Sequence, residues 1–349
     1  MLHKYQSRFP AKILGSGDFQ KKPSSSQVSL AAFSIFLFSI LLAILAIEKN
    51  LGTDFEIYKA WYFNLDPWSI NSCEGFESAF CLIGMGMSKV GITFSFFLAL
   101  HVLCIYFFIF FTILHVSSGD RVSFYSGLLF IATVPLVLLK PEIASHLTRQ
   151  YIAGAILCLC LINKNRTAQG FLVILASMFH ISAVVFMVPL FFRVRLQIYL
   201  LFLIFVLFAS YPFGLLLNYI ISVSGTDLLD PNFSRLLYNV FHKLEAYSGR
   251  SGADVFGRAG FFILFALVLV SMVNRVGCLR DPVILLIRFF IFSLTLFLLF
   301  YSFSGNISER WYQYAKVFFI VVFPFVGSLL GRKVISPKND QGDKSNFVL

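Results

Sequence analysis

Lys140–Phe192 has the sequence KPEIASHLTRQYIAGAILCLCLINKNRTAQGFLVILASMFHISAVVFMVPLFF. An apolar run long enough to cross a bilayer follows a charged first turn. A short basic turn, Lys164-Asn165-Arg166, leads into a second apolar run with a histidine at its middle. On a helix Glu142, His146 and Arg149 fall at i, i+4 and i+7 and share one face. His180 sits inside the second run. Each ionisable group in or at the edge of hydrocarbon costs about 2.5–3.5 kcal/mol on insertion scales, so such groups face polar cavities and act there. Three on one face point to a site for an anion.

The composition of the whole chain sets its class. Of 349 residues 58% are hydrophobic and only 13% charged, and the mean hydropathy is +0.82. These values belong to a chain solvated mostly by lipid, an all-α polytopic membrane protein. The net charge of +11 is spread through short loops rather than gathered in one patch. It therefore reads as membrane orientation, not as a nucleic-acid surface. Cys104, Cys158 and Cys160 lie in apolar runs, where cysteine acts as a small hydrophobe. Cys73 and Cys81 share an external loop where a disulfide is open to them, with no wider cysteine pattern to add support.

Residues 1–27 form a basic tail, too long and polar for the charged start of a cleaved signal, so the first apolar run is expected to be retained. The membrane domain covers 28–331, and a polar tail, 332–349, follows it. Spans are predicted at Val28–Ile47, Gly91–Val116, Val122–Leu139, Glu142–Ile162, Leu196–Ser222, Phe261–Val273, Val283–Phe303 and Val317–Leu330, about eight crossings with both termini cytoplasmic. The external loops are placed at 48–90, 224–258 and 304–315. Within the first, Asp54, Tyr58 and Trp61 repeat at i, i+4 and i+7, and Phe76–Met87 reads as a short interfacial helix.

The run Gly170–Phe192 is the difficult one. A single crossing would leave Arg193 and Arg195 outside, against the positive-inside trend. Two half-helices meeting near His180 repair this, because a re-entrant hairpin returns both arginines to the cytoplasmic face. Irregular backbone at membrane depth is tolerated where it lines a protein cavity. On that topology the external side collects the polar groups, including Arg250 and Arg258 of the long loop and the stretch SERWYQY. Arg310 and Tyr314 fall at i, i+4 and can approach one ligand together. The planar fork of arginine suits phosphate, so Arg149 and Arg310 could clamp a diphosphate.

Plainer readings stand beside these. Arg149 could snorkel to the interface. His180 could be a buried histidine bonded to a carbonyl, and Arg310 could pair with Glu309 alone. Asp54 and Glu56 are two acids without a third metal ligand, so no metal site and no cofactor is expected. No P-loop, nucleophile elbow, zinc-protease helix or cysteine metal signature is present.

Several of these elements together resemble the EpsG family of Wzy-type polysaccharide polymerases: Arg149 followed by LASMFHISAVV (Leu175–Val185), the early pair Asp54 and Tyr58, the stretch GFESAFCLI, and the late ERWYQY. The resemblance runs from about Thr53 to Tyr314. It implies a GT-C-like multi-pass enzyme of the bacterial inner membrane that polymerises oligosaccharide repeat units carried on undecaprenyl diphosphate. The products would be O-antigen, capsular or exopolysaccharide chains, and a chain-length regulator is a candidate partner. The expected catalytic groups are Arg149, His180, Arg310 and Glu142; the expected substrate contacts are Asp54, Tyr58, His146, Arg250, Arg258 and Tyr314. The rival readings are a lipid-linked oligosaccharide flippase, which would favour more spans with repeat symmetry, and a membrane O-acyltransferase, which needs a histidine reachable from the cytoplasm.

Overall fold

The computed structural model describes residues 22–48, 53–66, 68–69, 73, 76–119, 121–137, 139–140, 148–192, 195–209, 253–276, 281–301 and 305–331. The regular structure of these residues is helical. The helices are α1 (Ser25–Glu48), α2 (Thr53–Phe63), α3 (Ser78–Lys89), α4 (Phe94–Ser117), α5 (Arg121–Val137), α6 (Thr148–Ile162), α7 (Arg166–Phe179), α8 (Met187–Phe191), α9 (Leu196–Ala209), α10 (Ala253–Val276), α11 (Asp281–Tyr301) and α12 (Gly305–Gly331). A 3₁₀ segment, Ile181–Phe186, joins α7 to α8.

Among the described residues, three stretches are long and apolar enough to cross a membrane: Ser25–Ile47, Phe94–Ser117 and Val283–Tyr301. Shorter apolar helices accompany them, Thr148–Ile162 and Arg166–Phe179 among them. Large apolar side chains such as Leu30, Phe33, Phe171, Phe205 and Phe261 stand exposed on their outer faces. Water would penalise such a surface and lipid does not, so the chain is a helical membrane protein.

α1 packs along α4, α4 along α6, and α6 along both α7 and α12; α11 runs beside α12. α6 and α12 approach closely at Gly154, where a Cβ would stand 3.4 Å from Val317 Cγ2 and 3.5 Å from Tyr314 Cδ1. The turn between α6 and α7 is built from polar groups. Gln169 Nε2 donates to the carbonyls of Cys160 (2.9 Å) and Asn163 (2.7 Å), and Asn165 caps α7 by accepting from the Thr167 N–H. These bonds satisfy helix-end groups that lipid could not.

The expected break at residue 180 is present. α7 ends at His180, whose backbone is extended (φ −156°, ψ 113°). The chain then doubles back: the Phe191 ring lies 3.9 Å from where a Cβ on Gly170 would stand. A continuous helix would separate these two positions by about 30 Å at 1.5 Å per residue. Phe186 anchors the returning arm, fully buried among Phe289, Phe292, Trp311, Tyr314 and Phe318.

Other expectations are corrected. The external loop at 304–315 is helix from Gly305 onward, because Ser308, Trp311 and Tyr314 have buried neighbours to pack against and the apolar face continues through them. The loop placed at 224–258 gives way to α10 at Ala253, and α1 starts at Ser25 rather than Val28. The region 48–90 carries two helices. α3 ends in paired bonds, Gly91 N–H to Ser88 O and Ile92 N–H to Met87 O, with Gly91 at φ +74°. That left-handed position favours glycine at the end of a helix. Residues 210–222 of the span expected at Leu196–Ser222 lie outside the described residues.

Candidate functional site

Arg149 stands in the first turn of α6, where a helix entered from a polar segment can present a charged side chain while Gln150 and Tyr151 turn inward. Its guanidinium, partly buried, forms an ion pair through Nη1 with the Glu77 carboxylate. Its Nε donates to Tyr58 Oη at 3.3 Å. The flat group also lies over two rings, 4.9 Å from the centroid of Phe76 and 5.3 Å from that of Tyr58. Stacking, an ion pair and a hydrogen bond together fix the plane of the arginine.

The wall behind it is aromatic. Trp61 stacks on Phe76 at 4.4 Å and on Phe80 at 5.5 Å, and Tyr62 Oη donates to the Ile92 carbonyl at 2.7 Å. Gly84 makes this packing possible, since a Cβ there would come within 2.5 Å of the Trp61 ring. A disulfide joins Cys73 and Cys81, with Cα atoms 5.6 Å apart, and brackets Glu77.

His180 lies at the tip of the hairpin, 7% exposed. Because α7 retraces α6 with nearly equal length, 14 residues against 15, the tip returns to the level of Arg149. His180 Nδ1 shares a hydrogen bond with Ser182 Oγ at 2.6 Å, and Ser182 Oγ donates to Tyr314 Oη at 3.3 Å. Tyr314 is fully buried, its ring against those of Phe186 and Trp311.

Two bonds stitch the start of α12 to the start of α6: Gln150 Nε2 donates to the Arg310 carbonyl, and Tyr151 Oη donates to Gln313 Oε1. They hold Arg310, whose side chain is exposed, on the same end of the molecule as Arg149. Among the residues expected from sequence, Arg149, Tyr58, His180, Tyr314 and Arg310 are thus brought together. Tyr58 is buried at 2% exposure and touches the arginine, which makes it a support for Arg149. Glu142, His146 and Arg250 lie outside the described residues, as do the side chains of Asp54 and Arg258.

Glu77, Ser182 and Gln150 were not singled out from sequence. Glu77 lay within the stretch GFESAFCLI, an acid between two cysteines and beside an aromatic, and that bracket was the available signal. Its partner is 72 residues away along the chain, beyond what local spacing can show. Among the described residues no three His, Cys, Asp or Glu side chains gather as metal ligands.

Chemically, the arrangement offers a fixed arginine fork, a second exposed arginine and a histidine with one ring nitrogen already engaged. Such a set can hold an anionic group and handle a proton beside it. A model of the EpsG family matches residues 31–335 of the chain. No curated protein and no solved structure matches it.

Proposed function

The chain belongs to the EpsG family, and from that premise we propose that it is a membrane glycosyltransferase polymerising lipid-linked oligosaccharide repeat units at the external face of the bacterial inner membrane. The observation that carries this reading is that the first turn of α6, which bears Arg149, is bonded to the turn of α12 that bears Arg310, while the His180–Ser182–Tyr314 chain ties the hairpin tip to that same part of α12. The donor is the growing chain on undecaprenyl diphosphate, and the acceptor is a hydroxyl of a new unit on a second carrier. The bond between the anomeric carbon and the diphosphate oxygen breaks as the acceptor oxygen bonds to that carbon. The acceptor's proton passes to a base, and the diphosphate leaves on its lipid.

Each group has a place in that step. Arg149 and Arg310 stabilise the charge that develops on the departing diphosphate more than the charge of the intact donor, which accelerates the reaction. Ser182 engages His180 Nδ1, so Nε2 is the nitrogen assigned to the acceptor hydroxyl. Tyr314 holds Ser182 in turn.

The proposed topology keeps eight crossings and a hairpin that enters and leaves from the cytoplasmic face, with both termini cytoplasmic and a GT-C-like arrangement. The Cys73–Cys81 disulfide supports an external site, because disulfides persist in oxidising compartments. A chain-length regulator is the proposed protein partner. The test is a surface-glycan gel from a deletion strain complemented with wild type or Arg149→Ala. We expect both the deletion and the variant to collapse the ladder to a single repeat, with the variant still present in the membrane. A normal ladder from Arg149→Ala overturns the assignment. Loss of the single-repeat band in the deletion strain points to a flippase, and an intact ladder with altered acyl groups points to an acyltransferase.

A further inference from the structure

Resting on that reading, we propose that Glu77 competes with the carrier diphosphate for the Arg149 guanidinium, and that the disulfide-closed segment 73–81 holds it there as a latch the substrate displaces. The geometry of the arginine carries the idea. An arginine binds phosphate best through two parallel N–H groups. The Nε edge is engaged by Tyr58 Oη, and the flat faces lie over the Phe76 and Tyr58 rings. The fork that remains is the pair of terminal nitrogens, and Glu77 accepts from Nη1 of that pair. A phosphate that takes this fork must take it from Glu77.

The backbone around Glu77 supports the same assignment. Glu77 occupies the N-cap position of α3 in extended conformation (φ −71°, ψ 147°), yet its side chain makes no capping bond. The short side chains that cap helices, Ser, Thr, Asp and Asn, accept from the second or third N–H of the helix, and glutamate is not among them. Glu77 is turned instead to an arginine on another helix. Its cysteine neighbours close a loop of eight residues' separation around it, which limits where the carboxylate can go. The side chain is 19% exposed, so it has room to swing toward solvent when displaced. The carboxylate thus keeps Arg149 paired and oriented, and two like charges at one fork ensure that it and a bound diphosphate exclude each other.

The test measures binding to the full-length protein in nanodiscs, with inorganic pyrophosphate as one probe and vesicles containing polyprenyl diphosphate as the other. Glu77→Gln keeps the shape and removes the charge; we expect it to bind both probes about tenfold more tightly than wild type, the size of a typical coupling between two ligands. The pair Cys73→Ser with Cys81→Ser, which frees the segment without touching the carboxylate, is expected to shift affinity in the same direction by a smaller factor. Unchanged or weaker binding by Glu77→Gln, in a protein whose wild type binds and whose Arg149→Ala does not, makes Glu77 a mere orienting group and overturns the latch while leaving the polymerase reading intact. Tightening confined to inorganic pyrophosphate overturns the carrier lipid as the displacing group. Failure of wild type to bind either probe overturns both the latch and the site it rests on.

Discussion

Arg149 owes its position to contacts that differ in kind, and variants separate them. Arg149→Lys keeps the charge but loses the fork and the stacking on Phe76 and Tyr58. Polymer length in complemented cells is therefore expected to match Arg149→Ala rather than wild type, because a point charge does not replace a planar double donor. Tyr58→Phe keeps the ring under the guanidinium and removes the acceptor for Nε. One hydrogen bond of this kind is worth about 1 kcal/mol, so the turnover of the variant is expected to fall by less than tenfold. At this scale the sequence showed Arg149, His180 and Tyr314 but not what they touch. Charged and polar residues in apolar runs are visible by their cost, whereas the pairing of Arg149 with Glu77 and of His180 with Ser182 depends on how separate turns meet. Tyr58 read from sequence as a substrate contact, and its buried hydroxyl also accepts from Arg149, a contact that sequence spacing could not show.

Among the elements, the hairpin and the α2–α3 pair do the positioning. The break at His180 was legible because one crossing would have placed Arg193 and Arg195 on the wrong face, a charge argument that needs no contact map. The helical start of α12 was not legible. SERWYQY is polar enough to read as a loop, and it becomes helix because Trp311 and Tyr314 find a buried seat against Phe186 while Gln150 and Tyr151 bond to the same turn. Gly84 tests the other element. A Cβ there would meet the end of the Trp61 ring at 2.5 Å, so Gly84→Ala must push the indole off the Phe76 stack. Overpacking of this sort costs about 1–3 kcal/mol. Thermal unfolding in detergent is expected to show a lowered midpoint for the variant, and an unchanged midpoint would mean that the ring contact contributes nothing to holding α3.

For the whole molecule, the bundle brings to one end groups that are 91 to 162 residues apart in sequence. Membrane character was plain from composition, since so apolar a chain has few other solvents. The crossing count was less accessible, because apolar helices of ten to seventeen residues are compatible with spans, half-spans and buried segments alike. Cysteine labelling in whole cells bears on that topology. The single variants Thr167→Cys and Ala168→Cys in α7, and Phe192→Cys after α8, are expected to react only after the cytoplasmic face is opened, as the hairpin requires. Labelling of Phe192→Cys from outside in intact cells would show that the run crosses. Neither result tests the chemistry proposed for the site around Arg149, the extension of a lipid-linked glycan. The most direct measurement is reconstitution of the purified protein with undecaprenyl-diphosphate-linked repeat units, followed by sizing of the lipid-linked products. Multi-repeat products are expected from wild type and only the unextended unit from Arg149→Ala. Multi-repeat products of equal length from both proteins, or none from a correctly folded wild type, would contradict the proposed chemistry.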